Sequence, residues 1–223
     1  MQEGLERISL DEEIIENPIT QISEVADDIE GLLERGDVLE IIKSGEFTRY
    51  IGDDASGRIP ALMFWECAKT IRRGLRQDKI PTLNFIATDR EGRNSDQIED
   101  FVKEWDRTNK ILIITEYIGT GKSLLDLCTE LKLAGFELQI LALCGSNNIA
   151  IDYTSLDIPI IKGTPTAVPS IYKAWRLSGV SKERGKLFSR RLIYEQKLVN
   201  AAHSQALVYG RNIARRVLRK ISD

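Results

Sequence analysis

ILIITEYIGTGKS, residues 111–123, decides how the rest of the chain is read. Together with Lys110, its opening residues form a near-continuous apolar run over 110–114, the pattern of a strand buried on both faces of a parallel sheet. A turn with glycines at 119 and 121 follows. Beyond it, Leu124, Leu127, Cys128 and Leu131 line one helical face, and Gly135 supplies the stop. Strand, glycine turn and helix in that order gather backbone N–H groups and a helix N-terminus around one anion. Gly119 and Gly121 let the backbone approach it closely. Thr120 and Ser123 add hydroxyl donors, and Lys122 adds a positive charge. The stretch therefore predicts a strand feeding a phosphate-binding loop.

Outward from this loop the sequence alternates in a βα rhythm. Further strands are expected over 47–51, 82–87, 138–143 and 158–161, with helices over 59–75 and about 97–106. Pro60 suits the first turn of the former helix, where its missing N–H costs nothing. The fold class is α/β, a doubly wound, mostly parallel sheet with helices on both sides. Helical extensions flank it. Ile14, Ile15, Ile22, Val25, Ile29, Leu32 and Leu33 recur at helical spacing up to a stop at Gly36-Asp37. Val199, Ala202, Ala206, Tyr209, Ile213, Val217 and Ile221 form the stripe of a long amphipathic helix, softened at Gly210. This divides the chain into an N-terminal helical extension, 1–44, an α/β core, 45–165, and a C-terminal helical extension, 166–223.

Composition bounds the function class. The 223 residues are 42% hydrophobic and 29% charged, ordinary for a globular protein, and no apolar window reaches membrane-spanning length. The acidic N-terminus lacks a signal core, and Cys67, Cys128 and Cys144 have neither metal-like spacing nor an even count. A reduced, cytoplasmic protein is expected. Net charge is −3 but uneven: thirteen acids against two bases in 1–40, eleven bases against three acids in 181–223. Either the two ends are solvated helices lying near each other, or the basic end meets an anionic partner, such as nucleic acid or another subunit. Nucleic acid is the minority reading, since the whole chain is not basic.

The GKS ending invites comparison with a nucleoside-triphosphate loop, G-x-x-x-x-G-K-[ST]. The first glycine of that pattern would fall at position 116, which is Glu116, and a carboxylate there repels a triphosphate. Four apolar residues, an acidic position, three residues and Thr-Gly-x-[ST] instead resemble the phosphoribosyl pyrophosphate (PRPP) motif of type I phosphoribosyltransferases, nearest in pattern to the hypoxanthine-guanine branch. The resemblance extends over about 45–165. Ala55-Ser56-Gly57-Arg58 is similar to the family's pyrophosphate loop after its first core strand, and 88–96 stands where the family keeps a mobile catalytic flap.

The resemblance implies roles for particular residues. Thr115, Glu116, Tyr117, Ile118, Gly119, Thr120, Gly121, Lys122 and Ser123 would bind the phosphorylated ribose, with Glu116 on its hydroxyls and the turn on its 5′-phosphate. Ala55, Ser56, Gly57 and Arg58 would hold pyrophosphate. Arg90 and Arg93 would pair with pyrophosphate oxygens during catalysis, alongside Glu116. Magnesium would enter as Mg-PRPP, touching Glu116 only indirectly. The segment Lys162-Gly163-Thr164-Pro165 is similar to one that reads the purine ring, with Lys162 contacting the base or lying in solvent. Tyr172 and Trp175 would stack on a base or pack on a helix surface, the latter favoured. His203 receives no role.

Two positions depart from the family's pattern. Thr115 replaces one of two adjacent acids, and Gly119 stands where the purine-using branch keeps an aspartate that handles a base proton; glycine does no general base work. Asp53-Asp54 reads as a magnesium-adjacent pair or as a helix cap, the cap slightly favoured. The expected function is transfer of phosphoribose from Mg-PRPP to a nitrogenous base. The alternatives are a non-catalytic PRPP or nucleotide sensor acting through a protein partner, or an effector that consumes PRPP or nucleotides within a larger bacterial system.

Overall fold

The computed structural model describes residues 22–86, 95–118, 121–145, 157–165, 177, 180–181, 190–191 and 196–222. In chain order its elements are α1 (22–34), α2 (Asp37–Ser44), β1 (Phe47–Asp53), α3 (Asp54–Gly74), β2 (Thr82–Ile86), α4 (Ser95–Val102) and β3 (Lys110–Ile118). There follow α5 (Lys122–Leu133), β4 (Glu137–Gly145), β5 (Ile160–Pro165), β6 (Val180–Ser181), β7 (Arg190–Arg191) and α6 (Gln196–Ser222). β6 and β7 form a small antiparallel pair.

Strand β3 explains the architecture. Ile111, Leu112, Ile113 and Ile114 are all fully buried, so residues of both parities need cover and the strand must lie inside a sheet. It is the middle strand of five, in the order β2-β1-β3-β4-β5, all parallel. Tyr50, Leu112, Ile114, Leu141 and Leu143 pack on one face against α1, α2, α3 and α6. Ile51, Ile111, Ile113, Ile140 and Ala142 pack on the other, against Ile98 and Val102 of α4 and the Leu124, Leu127, Cys128 and Leu131 stripe of α5. The doubly wound parallel sheet expected from the sequence is what these residues form. The winding reverses between β1 and β3, which places a crevice beyond their carboxyl ends.

The terminal helices join the sheet's α3 face. At Gly210 an added Cβ would meet Met63 O at 2.5 Å and Cys67 N at 3.2 Å, so α6 can lie this close to α3 only because that position carries no side chain. The helix runs without a break through Gly210; the glycine marks close approach rather than softening. The Arg216 guanidinium donates to both Glu30 oxygens, at 2.7 and 2.5 Å, and Lys220 reaches Glu34 at 2.6 Å. Acidic α1 and basic α6 are thus paired with each other. No described helix is long and apolar enough to cross a membrane.

Several local expectations change; the strand expected over 158–161 is Ile160–Pro165, so Lys162-Gly163-Thr164-Pro165 lies within β5 rather than after it. Helix α3 starts at Asp54, directly after β1, so 54–58 is helix rather than loop and Pro60 lies inside it. The cause is long-range: a Cβ on Gly57 would stand 2.8 Å from Ile114 O, so the glycine lets this first turn pack onto β3. Helix α2 was not expected. Gly36, at φ +82°, ends the α1 segment as anticipated, and Val38, Ile41 and Ile42 then bury a second short helical face.

Candidate functional site

Neighbouring parallel strands β1 and β3 deliver two helix N-termini to the same edge of the sheet, α3 on one face and α5 on the other. Each presents backbone N–H groups and the positive end of a helix dipole. Gly121 occupies the N-cap of α5 at φ +77°, a left-handed conformation that costs a residue with a side chain about 1–2 kcal/mol. Its carbonyl accepts from Leu125 N at 2.8 Å, so the glycine that turns the chain also begins the helix. Across the crevice, Gly57 holds the first turn of α3 against β3.

Carboxylates line the strand ends. Glu116 is 2% exposed and Asp53 8%, while Thr115, fully buried, donates its hydroxyl to Tyr117 O at 3.4 Å. The Cys144 thiol donates to the Glu116 carbonyl at 3.0 Å. Burial first, then the charges of Glu116 and Asp28, pushes that thiol up to about 12. Burial and then Asp53 raise the Cys128 thiol, which places Asp53 within electrostatic reach of α5. The expected cap role of Asp53 does not hold, because it stands at the N-cap of α3 without a side-chain capping bond.

The remaining predicted residues divide clearly. Tyr117 and Ser123 are half-buried, Ile118 is buried and Lys122 is exposed, all at the β3–α5 connection. Ala55 and Ser56 belong to the first turn of α3, and the Arg58 guanidinium lies 4.6 Å over the Phe85 ring, on the β2 side. Lys162 is exposed on β5, where Thr115, Ala142 and Lys162 share one row across three strands. Its backbone carbonyl accepts from Arg35. Arg90, Arg93, Gly119, Thr120, Tyr172 and Trp175 lie outside the described residues.

Asp28 is a site-side acid that the sequence did not single out. Within an acidic run it looks solvated, yet burial, then Asp27 and Glu24, raise it from 3.8 to about 6. A raised acid binds its proton in the folded state when the unfolded chain has lost it, so its contribution to stability falls from about pH 4 to about pH 6 and is flat above. Asp28→Asn should therefore stabilise the protein at neutral pH by about 1 kcal/mol, after discounting for a half-exposed group. Melting curves should show a gain of about 2–4 °C at pH 7 that vanishes near pH 4.

Among the described residues no cluster of three or more His, Cys, Asp or Glu is placed to hold a metal. Asp53 and Glu116, near the ends of β1 and β3, are carboxylates of the kind that would accompany magnesium held mainly by a ligand's phosphate oxygens.

No protein-family model matches the sequence, and a search of curated proteins also finds no match.

Proposed function

We propose that the crevice beyond β1 and β3 binds PRPP and that the protein transfers its phosphoribosyl group to a nitrogenous base, releasing pyrophosphate. The observation that carries this reading is the buried Glu116 carboxyl at the end of β3, followed by a turn whose Gly121 opens α5. A triphosphate loop needs glycine where Glu116 stands. A carboxylate on the strand and a helix N-terminus after the turn suit a ribose bearing a 5′-phosphate.

In this reading Glu116 accepts hydrogen bonds from the ribose hydroxyls. Lys122, Ser123 and the α5 N-terminus take the 5′-phosphate. The α3 N-terminus, with Gly57 and Arg58, faces the pyrophosphate. A base nitrogen forms its bond to the anomeric carbon as the bond to pyrophosphate oxygen breaks and the ribose develops positive charge, the nitrogen's proton leaving to the departing pyrophosphate or to water. Glu116 and Asp53 stabilise that charge, so the catalysis is electrostatic and positional. Asp53 thus contributes, from β1, the second carboxylate that Thr115 lacks. Bound magnesium would neutralise the departing pyrophosphate.

A second reading, a PRPP sensor or effector acting through a partner, is favoured by the buried Thr115, whose hydroxyl is turned to Tyr117 O. Incubation with PRPP, magnesium and a panel of purine and pyrimidine bases separates the two. Base-dependent pyrophosphate release is expected. Tight PRPP binding without release under any base would leave the sensor, and no binding of any phosphorylated ribose would end both.

A further inference from the structure

Three helices lie side by side away from the crevice loops. Gly210 of α6 lies against Met63 and Cys67 of α3, and Leu218 lies against Gly74. On α1, Glu30 takes Arg216 and Glu34 takes Lys220. Numbers rise together in both sets, so α3, α6 and α1 run in the same direction. Residues 216 and 218 point to opposite sides of a helix, which places α6 between the other two.

The outer surface of this layer carries two charged rows. Helix α6 contains no acid, and its Arg211, Arg215 and Arg219 recur at four-residue steps, so they share one face. Arg215 and Arg219 are exposed, and Arg211 is half-exposed beside Glu66 at 3.5 Å. Helix α1 contains no base, and Glu24, Asp27 and Glu34 are exposed on it. Asp27 helps to hold the Arg216 charge, so the acidic row borders α6. Two residues interrupt the rows. Val208 is 47% exposed, one turn before Arg211. Gly31 is exposed inside α1, and among the described residues no atom lies within 4 Å of where its Cβ would stand. Glycine weakens a helix interior, and here, unlike at Gly210, no contact among the described residues requires it.

We propose that this face is the contact between two copies of the chain, with α1 of one copy laid antiparallel on α6 of the other about a twofold axis. Placing Gly31 opposite Val208 brings the charges into register. Two turns back from Gly31 stands Glu24, and two turns on from Val208 stands Arg215. Asp27, one turn back, comes level with Arg211, one turn on. The missing side chain at Gly31 lets the helices close over Val208, and the twofold axis makes each contact twice. An extended polyanion fits this face less well, because the acidic row of α1 borders the basic row and repels it. Exposed ion pairs contribute little singly and are screened by salt, so the contact is weak and salt-sensitive. Nothing in this inference depends on PRPP binding in the crevice.

Sedimentation of the full chain over a range of protein concentrations, at about 50 mM and about 500 mM salt, tests it. A monomer–dimer equilibrium is expected, weakened about tenfold or more at the higher salt. Gly31→Leu should weaken it by a similar factor although leucine is the better helix former, so the variant monomer melts no lower. Glu24→Arg and Arg215→Glu should each weaken the dimer. Combined in one chain they should restore it, because each copy then supplies both partners of the reversed pair. A monomer at every concentration in low salt overturns the proposal. A dimer indifferent to Gly31→Leu overturns it too, as does a double reversal that associates no better than the single ones.

Discussion

Glu116→Gln should weaken binding of a phosphorylated ribose by about 10- to 100-fold while leaving the protein folded. The glutamine keeps the shape of the side chain, so no cavity opens at a position only 2% exposed. What it removes is the charge that strengthens bonds from two ribose hydroxyls, worth about 1.5–3 kcal/mol for a bond to a charged acceptor. It also removes a buried charge, so the free variant should melt at the same temperature or higher. Affinity and intrinsic stability thus move in opposite senses, which a merely structural role for Glu116 would not produce. Melting temperature with and without Mg-PRPP reads both quantities, because a ligand that binds only the native state raises it. Equal ligand-induced shifts in the two proteins would remove Glu116 from the site.

Gly163→Ala should have the largest effect on stability. A Cβ at this position would lie 1.8 Å from Leu143 O and 2.8 Å from its carbonyl carbon. Both are backbone atoms of β4, so no rotamer change relieves the clash; β5 must move away. Its ladder to β4, which pairs Ala142 with Lys162 and Cys144 with Thr164, is then lost or shifted. Overpacking of well-filled sites costs about 1–3 kcal/mol, and a collision with fixed backbone belongs at or beyond the upper end. In a chain of 223 residues this corresponds to a fall of about 6–12 °C in melting temperature. Urea unfolding of the two proteins measures it. A loss below about 1 kcal/mol would show that β4 and β5 do not approach so closely.

The sheet was legible in the sequence because its strands are apolar at both parities and alternate with amphipathic helices. Residues 110–114 and 138–143 announce buried strands on composition alone. The order β2-β1-β3-β4-β5, and hence the crevice between β1 and β3, is not written in any local pattern; it depends on which strands pair. The start of α3 was missed for the same reason, since Gly57 looks like a loop glycine until it is seen against Ile114 O. Asp53 read as a cap because acids before helices usually are, and only the absence of a capping bond separates it from that class.

Charge was the least legible property. Asp28 lies among many acids, and nothing local shows that it is half-buried near Cys144. The opposed charges of the two ends, in contrast, gave two explicit alternatives, and the Arg216–Glu30 and Lys220–Glu34 pairs show α1 and α6 lying together.

The most direct test of the crevice is a calorimetric titration of the intact protein with Mg-PRPP, with Mg-ATP as the competing ligand. Saturable binding of PRPP, little or none of ATP, and a marked loss of PRPP affinity in Glu116→Gln are the expected results. Binding of ATP in preference to PRPP, or no heat and no stabilisation with PRPP, would contradict a phosphoribosyl site at the ends of β1 and β3.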